Sequence, residues 1–321
     1  MTKHDPMVVA NPLAPFEKGG LLRIVAPAKT NLYLNVENVR EDGFHKVTTI
    51  MHALSIHDVL YMDYEQQSEG GLLVELYTHA RAGIENLTIA AEDNLAYKAI
   101  FLLAKKLGRT ENETFKMRLE KHIPHQAGLG GGSSDAAAAL IGAAHFWGIE
   151  VLSSEVLEAA AELGSDVPFF LYGGCAYFSG KGDIFERSIK PMKKSIVLIK
   201  PQKGVPTKEA YCEFDKYPQI VPIDIQKKAQ EAVKAENVLP YNNLEKAAEE
   251  VVPELKVIKE WLSKENEVAS FFLSGSGSTI VAICENFDFA CRLSCEAQKK
   301  GWWARAASFS SLRAAIVPKR M

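Results

Sequence analysis

The sequence predicts an α+β fold in two units, and three observations carry the prediction. Segments with strand alternation and segments with helical spacing follow one another along the chain. A length of 321 residues, 47% of them hydrophobic, is enough for a large core and favours two domains. The pattern restarts near Lys193 with SIVLIKP, a short strand bounded by charge and proline. The expected division is a tail over 1–20, a first unit over 21–188 and a second over 189–321.

In the first unit, LLRIVAPAKTNLYLNVENV carries a strand signal on both sides of a turn at Pro27. Leu32, Leu34 and Val36 alternate with Tyr33 and Asn35, as in a half-buried strand. After a break at Gly43, VTTIMHALSIHDVLYMDYE and LLVELYTHA continue the strand pattern. Asn94 is placed to cap the helix LAYKAIFLLAKKLG, which stops at Gly108. TFKMRLEKHIP is another strand, followed by a glycine-rich loop and a helix over 134–147. A short helix over 155–164 and a glycine-punctuated hairpin in CAYFSGKGDIFERS complete the unit. In the second, helices are expected over 225–236 and 244–264, the latter broken or bent by Pro253. Strands over 269–273 and 279–283, a helix ending at Gly301 and a last strand over 314–317 follow. Packing is the expected role of Trp302 and Trp303.

Forty acidic and 37 basic residues give a formal net charge of −3, so no single-sign field favours nucleic acid or acidic membranes. A local anion site needs no such field. The five cysteines, Cys175, Cys212, Cys284, Cys291 and Cys295, are scattered and odd in number, as free thiols in a reducing compartment would be. Cys291 and Cys295 lack a nearby histidine or third thiol and make a poor zinc site. His52 and His57 flank apolar residues and read as packed or surface histidines rather than metal ligands. No secretory segment and no run of 18 apolar residues is visible, which makes the cytoplasm the expected location, without membrane or nucleic-acid partners.

The chemistry-bearing stretch is IPHQAGLGGGSSDAAAAL. It is not a P-loop, since no lysine closes GLGGGSSD, and its glycine spacing is wrong for a dinucleotide fingerprint. The first turn of a helix nevertheless presents unpaired N–H groups, and glycines let the backbone curl around an anion. Phosphate binding is one reading. A helix capped by Ser133 or Ser134, whose alanines allow close packing, is the other. Asp135 then braces or caps the helix.

Four stretches together are more specific: PAKTNLYLNV, REDGFHKVTTI, the glycine loop with LGSDVPFFLYGGCAYFSGKG, and LSGSGSTIVAI. In this order the chain resembles the GHMP kinases. The resemblance implies two domains, an N-terminal ribosomal protein S5 domain 2-like unit and a C-terminal ferredoxin-like α/β sandwich, with a cleft between them. It implies ATP as phosphoryl donor with Mg2+, and a triphosphate wrapped by Ala127, Gly128, Leu129, Gly130, Gly131, Gly132, Ser133 and Ser134. Ser134 is the implied magnesium ligand, directly or through water, with the remaining coordination from phosphate and water. Asp166 is implied as the catalytic acid–base residue and Lys29 as its cationic partner.

DGFH, LGSDVPFF and TKEAY imply the acceptor 4-diphosphocytidyl-2-C-methyl-D-erythritol, phosphorylated on its 2-hydroxyl. Asn31, Phe44, His45, Tyr211 and the late loop Gly275, Ser276 and Gly277 are its implied contacts. Phe44 stands where many members have tyrosine, Pro206 where serine is usual, and Asn243 where aspartate is common. A monomer or weak homodimer is expected. Two other readings stay open: a GHMP kinase for mevalonate derivatives, homoserine or a sugar, and a ligand-binding regulator of the same fold.

Overall fold

The computed structural model describes residues 21–85, 89–235, 238 and 240–318; the expected tail over 1–20 lies outside the described residues. The first sheet is built on two long strands, β1 (Leu22–Val39) and β2 (His45–Gln66). Their register runs from Leu22 opposite Met62 to Val39 opposite His45. β3 (Leu72–Ala80) and β4 (Glu113–Lys121) extend the sheet beyond β2. β5 (Cys175–Ser179) and β6 (Ile184–Ile189) form the expected hairpin and attach to β2 through β5.

Helices α1 (Leu95–Lys106), α2 (Gly131–Trp147), α3 (Ser154–Leu163) and α4 (Val167–Tyr172) supply one shared core with this sheet. Asn94 caps α1 as its position predicts, its side chain accepting from the Ala96 N–H at 2.9 Å. At the centre lies α2, whose alanines 136–139 are fully buried. A Cβ on Gly142 would stand 2.5 Å from the Met62 sulfur, so only glycine lets the helix lie this close to the sheet.

The second sheet comprises β7 (Ser195–Lys200), β9 (Val268–Leu273), β10 (Ile280–Cys284) and β11 (Trp303–Ser308), all antiparallel in the order β11-β7-β10-β9. With helices that include α5 (Thr207–Lys216) and α6 (Ile223–Ala235) between β7 and β9, and α9 (Phe287–Lys299) between β10 and β11, this is the ferredoxin-like βαββαβ arrangement. Pro253 ends one helix and starts the next: α7 (Glu245–Val251) is followed by α8 (Glu254–Leu262). Two short strands, β8 (Tyr241–Asn242) and β12 (Ala315–Ile316), come from late in the sequence but add to β1 in the first sheet. Trp302 packs into the core of the second sheet, the role expected of it.

Two local expectations are corrected and two helices are added. Pro27 does not turn the chain: β1 passes through it, and the ladder shifts register between Pro27 and Lys29 and again between Asn31 and Tyr33. Neither serine caps α2, because Gly130 holds the cap position at φ 69° without a side-chain hydrogen bond. Helices α4 and α5 (Thr207–Lys216) were not predicted; the first has only six residues and the second starts after Pro206.

His52, fully buried, ties the segments together. Its Nδ1 donates to the Ala53 carbonyl at 2.9 Å, which fixes the tautomer, and Nε2 accepts the Met192 N–H at 2.9 Å. The ring also packs on Phe309 at 4.7 Å. Burial lowers its pKa to about 4, because protonation would set one N–H against another. The unfolded chain therefore binds the extra proton between about pH 6.5 and 4. Stability from this group is present above that window and falls with pH through it, by about 3 kcal/mol in all. Urea denaturation from pH 7 to 4 should show this decline, and His52→Gln should flatten it.

Candidate active site

Backbone geometry places the central pair. Lys29 and Asn31 are two apart on β1 and therefore share a face. The register shifts on either side of them turn that face towards the glycine loop. Where the ladder slips, the Lys29 N–H donates to the Leu129 carbonyl at 2.9 Å, so the loop lies directly across the strand. Lys29 is 3% exposed, and its Nζ stands 3.1 Å from Asp166 Oδ2 and 2.6 Å from Asn31 Oδ1. Asn31 donates onward to Thr49 Oγ1 at 2.8 Å, and Thr49 donates to the Tyr33 carbonyl. Asp166 occupies the cap position of α4 but makes no cap bond; its carboxylate is turned to Lys29 instead.

The loop is held from both sides. Gly128 and Gly130 have φ of 72° and 69°, a region in which side chains are strained. A Cβ on Gly128 would sit 2.1 Å from the Ser274 carbonyl oxygen. A Cβ on Gly130 would meet Phe170 at 2.8 Å and Lys29 at 3.0 Å. From the second sheet, Ser274 Oγ donates to the Gly128 carbonyl at 2.9 Å and the Thr279 N–H to the Ala127 carbonyl at 3.1 Å. Asn242 holds this late loop by donating to the carbonyls of Leu273 and Gly275 at 3.0 and 2.7 Å.

One cavity of about 560 Å³ runs past the Lys29–Asp166 pair and the glycine loop. Its wall includes Ala127 to Ser133, with Lys29, Asn31, Asp166, Tyr211, Gly275 and Ser276. No side chain caps α2, so the N–H groups of its first turn are available to an anion, favoured by the helix dipole. Ser134 departs from expectation: it is fully buried, off the cavity wall, and its hydroxyl has no partner. Ser133 is the serine on the wall.

The opposite end is aromatic. Burial, and then the Asp166 charge, push the Tyr211 phenol well above its usual pKa, so it stays protonated. Its ring lies 5.0 Å from that of His45. His45 Nε2 is 2.7 Å from Asp215 Oδ1, and neither His45 nor Phe44 reaches the cavity wall. Phe44 is 56% exposed at the end of the β1–β2 connection, beside Lys181. Gly277 is also off the wall, packed against Leu273 and Val205. Asn243 accepts the Val36 N–H and donates to its carbonyl, both at 2.9 Å, which makes it a brace on the edge of β1.

One constellation escaped the sequence. Lys121, at the end of β4, pairs with Asp58 of β2 and, at 2.5 Å, with Asp135 of α2. Asp58 also accepts the N–H groups of His122 and Ile123. Burial alone would lower the Lys121 pKa, but the two carboxylates overcome it and push it up to about 12. Burial raises that of Asp135 against the pull of Lys121. The triad fixes α2 to the sheet immediately behind the loop, so Asp135 is a brace. Its three members lie on three elements, and no local spacing signals them.

Known proteins of the same pattern share this architecture. Residues 94–174 match the model of the GHMP kinases N terminal domain, and residues 225–300 that of the GHMP kinases C terminal. The chain is 34% identical over 268 residues to 4-diphosphocytidyl-2-C-methyl-D-erythritol kinase of Desulfitobacterium hafniense (strain Y51), covering 82% of this chain and 87% of that one. It is 35% identical to the chloroplastic kinase of the same name from Mentha piperita, again over 82% of this chain but spanning only 64% of the relative's length. A crystal structure of 4-(cytidine 5'-diphospho)-2C-methyl-D-erythritol kinase, 32% identical, superposes with a TM-score of 0.68 over 90% of this chain and 99% of that one. Homoserine kinase from Cytophaga hutchinsonii, 16% identical, shares the fold at a TM-score of 0.67.

Gly128→Ala should separate loop geometry from helix propensity. The clash with Ser274 costs about 1–3 kcal/mol, and the left-handed backbone about 1–2 more. A Cβ on Gly132 has its nearest neighbour at 3.9 Å and ordinary φ, so Gly132→Ala should be neutral or stabilising. Urea denaturation of the two variants checks this contrast.

Proposed function

The chain belongs to the 4-diphosphocytidyl-2-C-methyl-D-erythritol kinases of the GHMP family, and from that premise we propose that it transfers the γ-phosphoryl group of ATP to the 2-hydroxyl of 4-diphosphocytidyl-2-C-methyl-D-erythritol. The products are the 2-phosphate and ADP, in the non-mevalonate route to isoprenoid precursors. The observation that carries the reading is the Lys29–Asp166 pair at 3.1 Å, on the wall of the cavity that the glycine loop also lines. A phosphoryl donor held by the loop and an acceptor hydroxyl at the carboxylate then meet in one space.

The first-turn N–H groups of α2 bind and orient the phosphates. Asp166 orients the acceptor hydroxyl and takes its proton late, as the bond to phosphorus forms. Lys29 stabilises charge at the acceptor oxygen, and Asn31 and Thr49 fix the position of its ammonium. Among the described residues no group of His, Cys, Asp or Glu could cage a metal, whereas the wall-lining Ser133 hydroxyl would suit an ion carried in with the nucleotide. Magnesium held there would supply compensation of the phosphate charge. Tyr211 and His45 form the aromatic end proposed for cytosine, with His45 needing release from Asp215 to meet the base edge. No described helix is long and apolar enough to cross a membrane; the cytoplasm and a monomer or weak homodimer are the proposed setting.

Asp166→Asn keeps the shape of the side chain but cannot accept the proton. Its kcat should fall by about 10²–10⁴-fold, while ATP affinity, measured by calorimetry, stays near that of the unmodified protein. Transfer at an unchanged rate would remove Asp166 from the mechanism.

A further inference from the structure

We propose that Lys181 is a specificity-determining residue of this cleft, the cation that holds the diphosphate of the acceptor; this rests on the cytidyl-diphosphate reading above. Three lysines, Lys29, Lys121 and Lys181, line the described cavity. Two are committed at short range: Lys29 to Asp166, and Lys121 to Asp58 and Asp135. Lys181 is held loosely. Its Nζ is 3.3 Å from the Ala161 carbonyl and 3.9 Å from Asp183 Oδ2, and it rests 5.1 Å from the centre of the Phe44 ring. An incoming anion therefore displaces no close ion pair to reach it.

Its place in the cleft matches the order of groups in the acceptor. Lys181 sits in the turn between β5 and β6, which Gly180 and Gly182 shape with φ of 75° and 98°. The turn runs beside β2: the Val47 N–H donates to the Gly180 carbonyl at 2.8 Å, and Lys181 bridges Val47. A Cβ on Gly182 would lie 3.9 Å from the Thr49 methyl. Thr49 belongs to the chain of contacts that starts at Lys29, so one neighbour of Lys181 borders the transfer end. Lys181 also rests beside Phe44, which is followed by His45, whose ring faces Tyr211. The neighbours of Lys181 thus lead to the aromatic end on the one hand and to the transfer carboxylate on the other. A diphosphate joins cytidine to the polyol in the same sequence. An ammonium on a flexible stem suits phosphate oxygens as a point charge.

Calorimetric titration with CDP, cytidine and ATP, on the unmodified protein, Lys181→Ala and Lys181→Arg, tests this. Lys181→Ala should weaken CDP by about 10–100-fold, the worth of a charge-assisted contact, and leave cytidine and ATP unchanged. Lys181→Arg should keep most of the CDP affinity. If Lys181→Ala binds CDP within about twofold of the unmodified protein, the inference fails while the cytidyl reading stands. If the unmodified protein binds neither CDP nor cytidine, the cytidyl reading itself fails and takes the inference with it.

Discussion

Lys29 is the constraint on which the site is built. An ammonium that is 3% exposed carries a desolvation cost of several kcal/mol unless partners surround it. Asp166 and Asn31 are those partners, at 3.1 and 2.6 Å. Supplying them requires two slips in the β1 ladder, the start of α4 aimed at the strand, and a glycine loop lying across it. Removing any of these leaves a buried charge uncompensated. The chemistry and the local fold thus share one solution.

The glycine loop transmits the same constraint to the second sheet. Gly128 and Ser274 approach so closely that no side chain fits between them, and the Ser274 hydroxyl and Thr279 N–H bond back to the loop. Behind it, the Asp58–Lys121–Asp135 triad anchors α2 to the first sheet. The first turn of α2 is consequently fixed before any anion arrives, and donors fixed in advance need no reordering on binding.

Much of this was legible because glycine and strand alternation report backbone demands directly. The loop over 128–132, the β5–β6 hairpin, the Asn94 cap and the Pro253 break all follow from local rules. The serine cap failed for a local reason too: a left-handed Gly130 already filled that position. Helix α4 is too short to show periodicity, and β8 and β12 are two-residue additions that only the completed sheet defines. Side-chain pairs between distant elements were the least visible. Lys29 and Asp166 were joined only through resemblance to a family; Asp135 was read as a cap or brace without its partners Asp58 and Lys121, and Lys181 was not singled out. Phe44 and His45 were placed near the substrate by motif; in the fold neither lines the cavity wall, Phe44 lying exposed beside Lys181 and His45 beside Asp215.

Transfer from γ-labelled ATP, with magnesium, to three acceptors offered separately tests the account most directly. The acceptors are 4-diphosphocytidyl-2-C-methyl-D-erythritol, mevalonate and homoserine. The account predicts that label appears on the 2-hydroxyl of the cytidyl acceptor and not on the other two. Label on mevalonate or homoserine instead would contradict the assignment of the aromatic end to cytosine. Nucleotide binding without transfer to any of the three would contradict the role given to the Lys29–Asp166 pair.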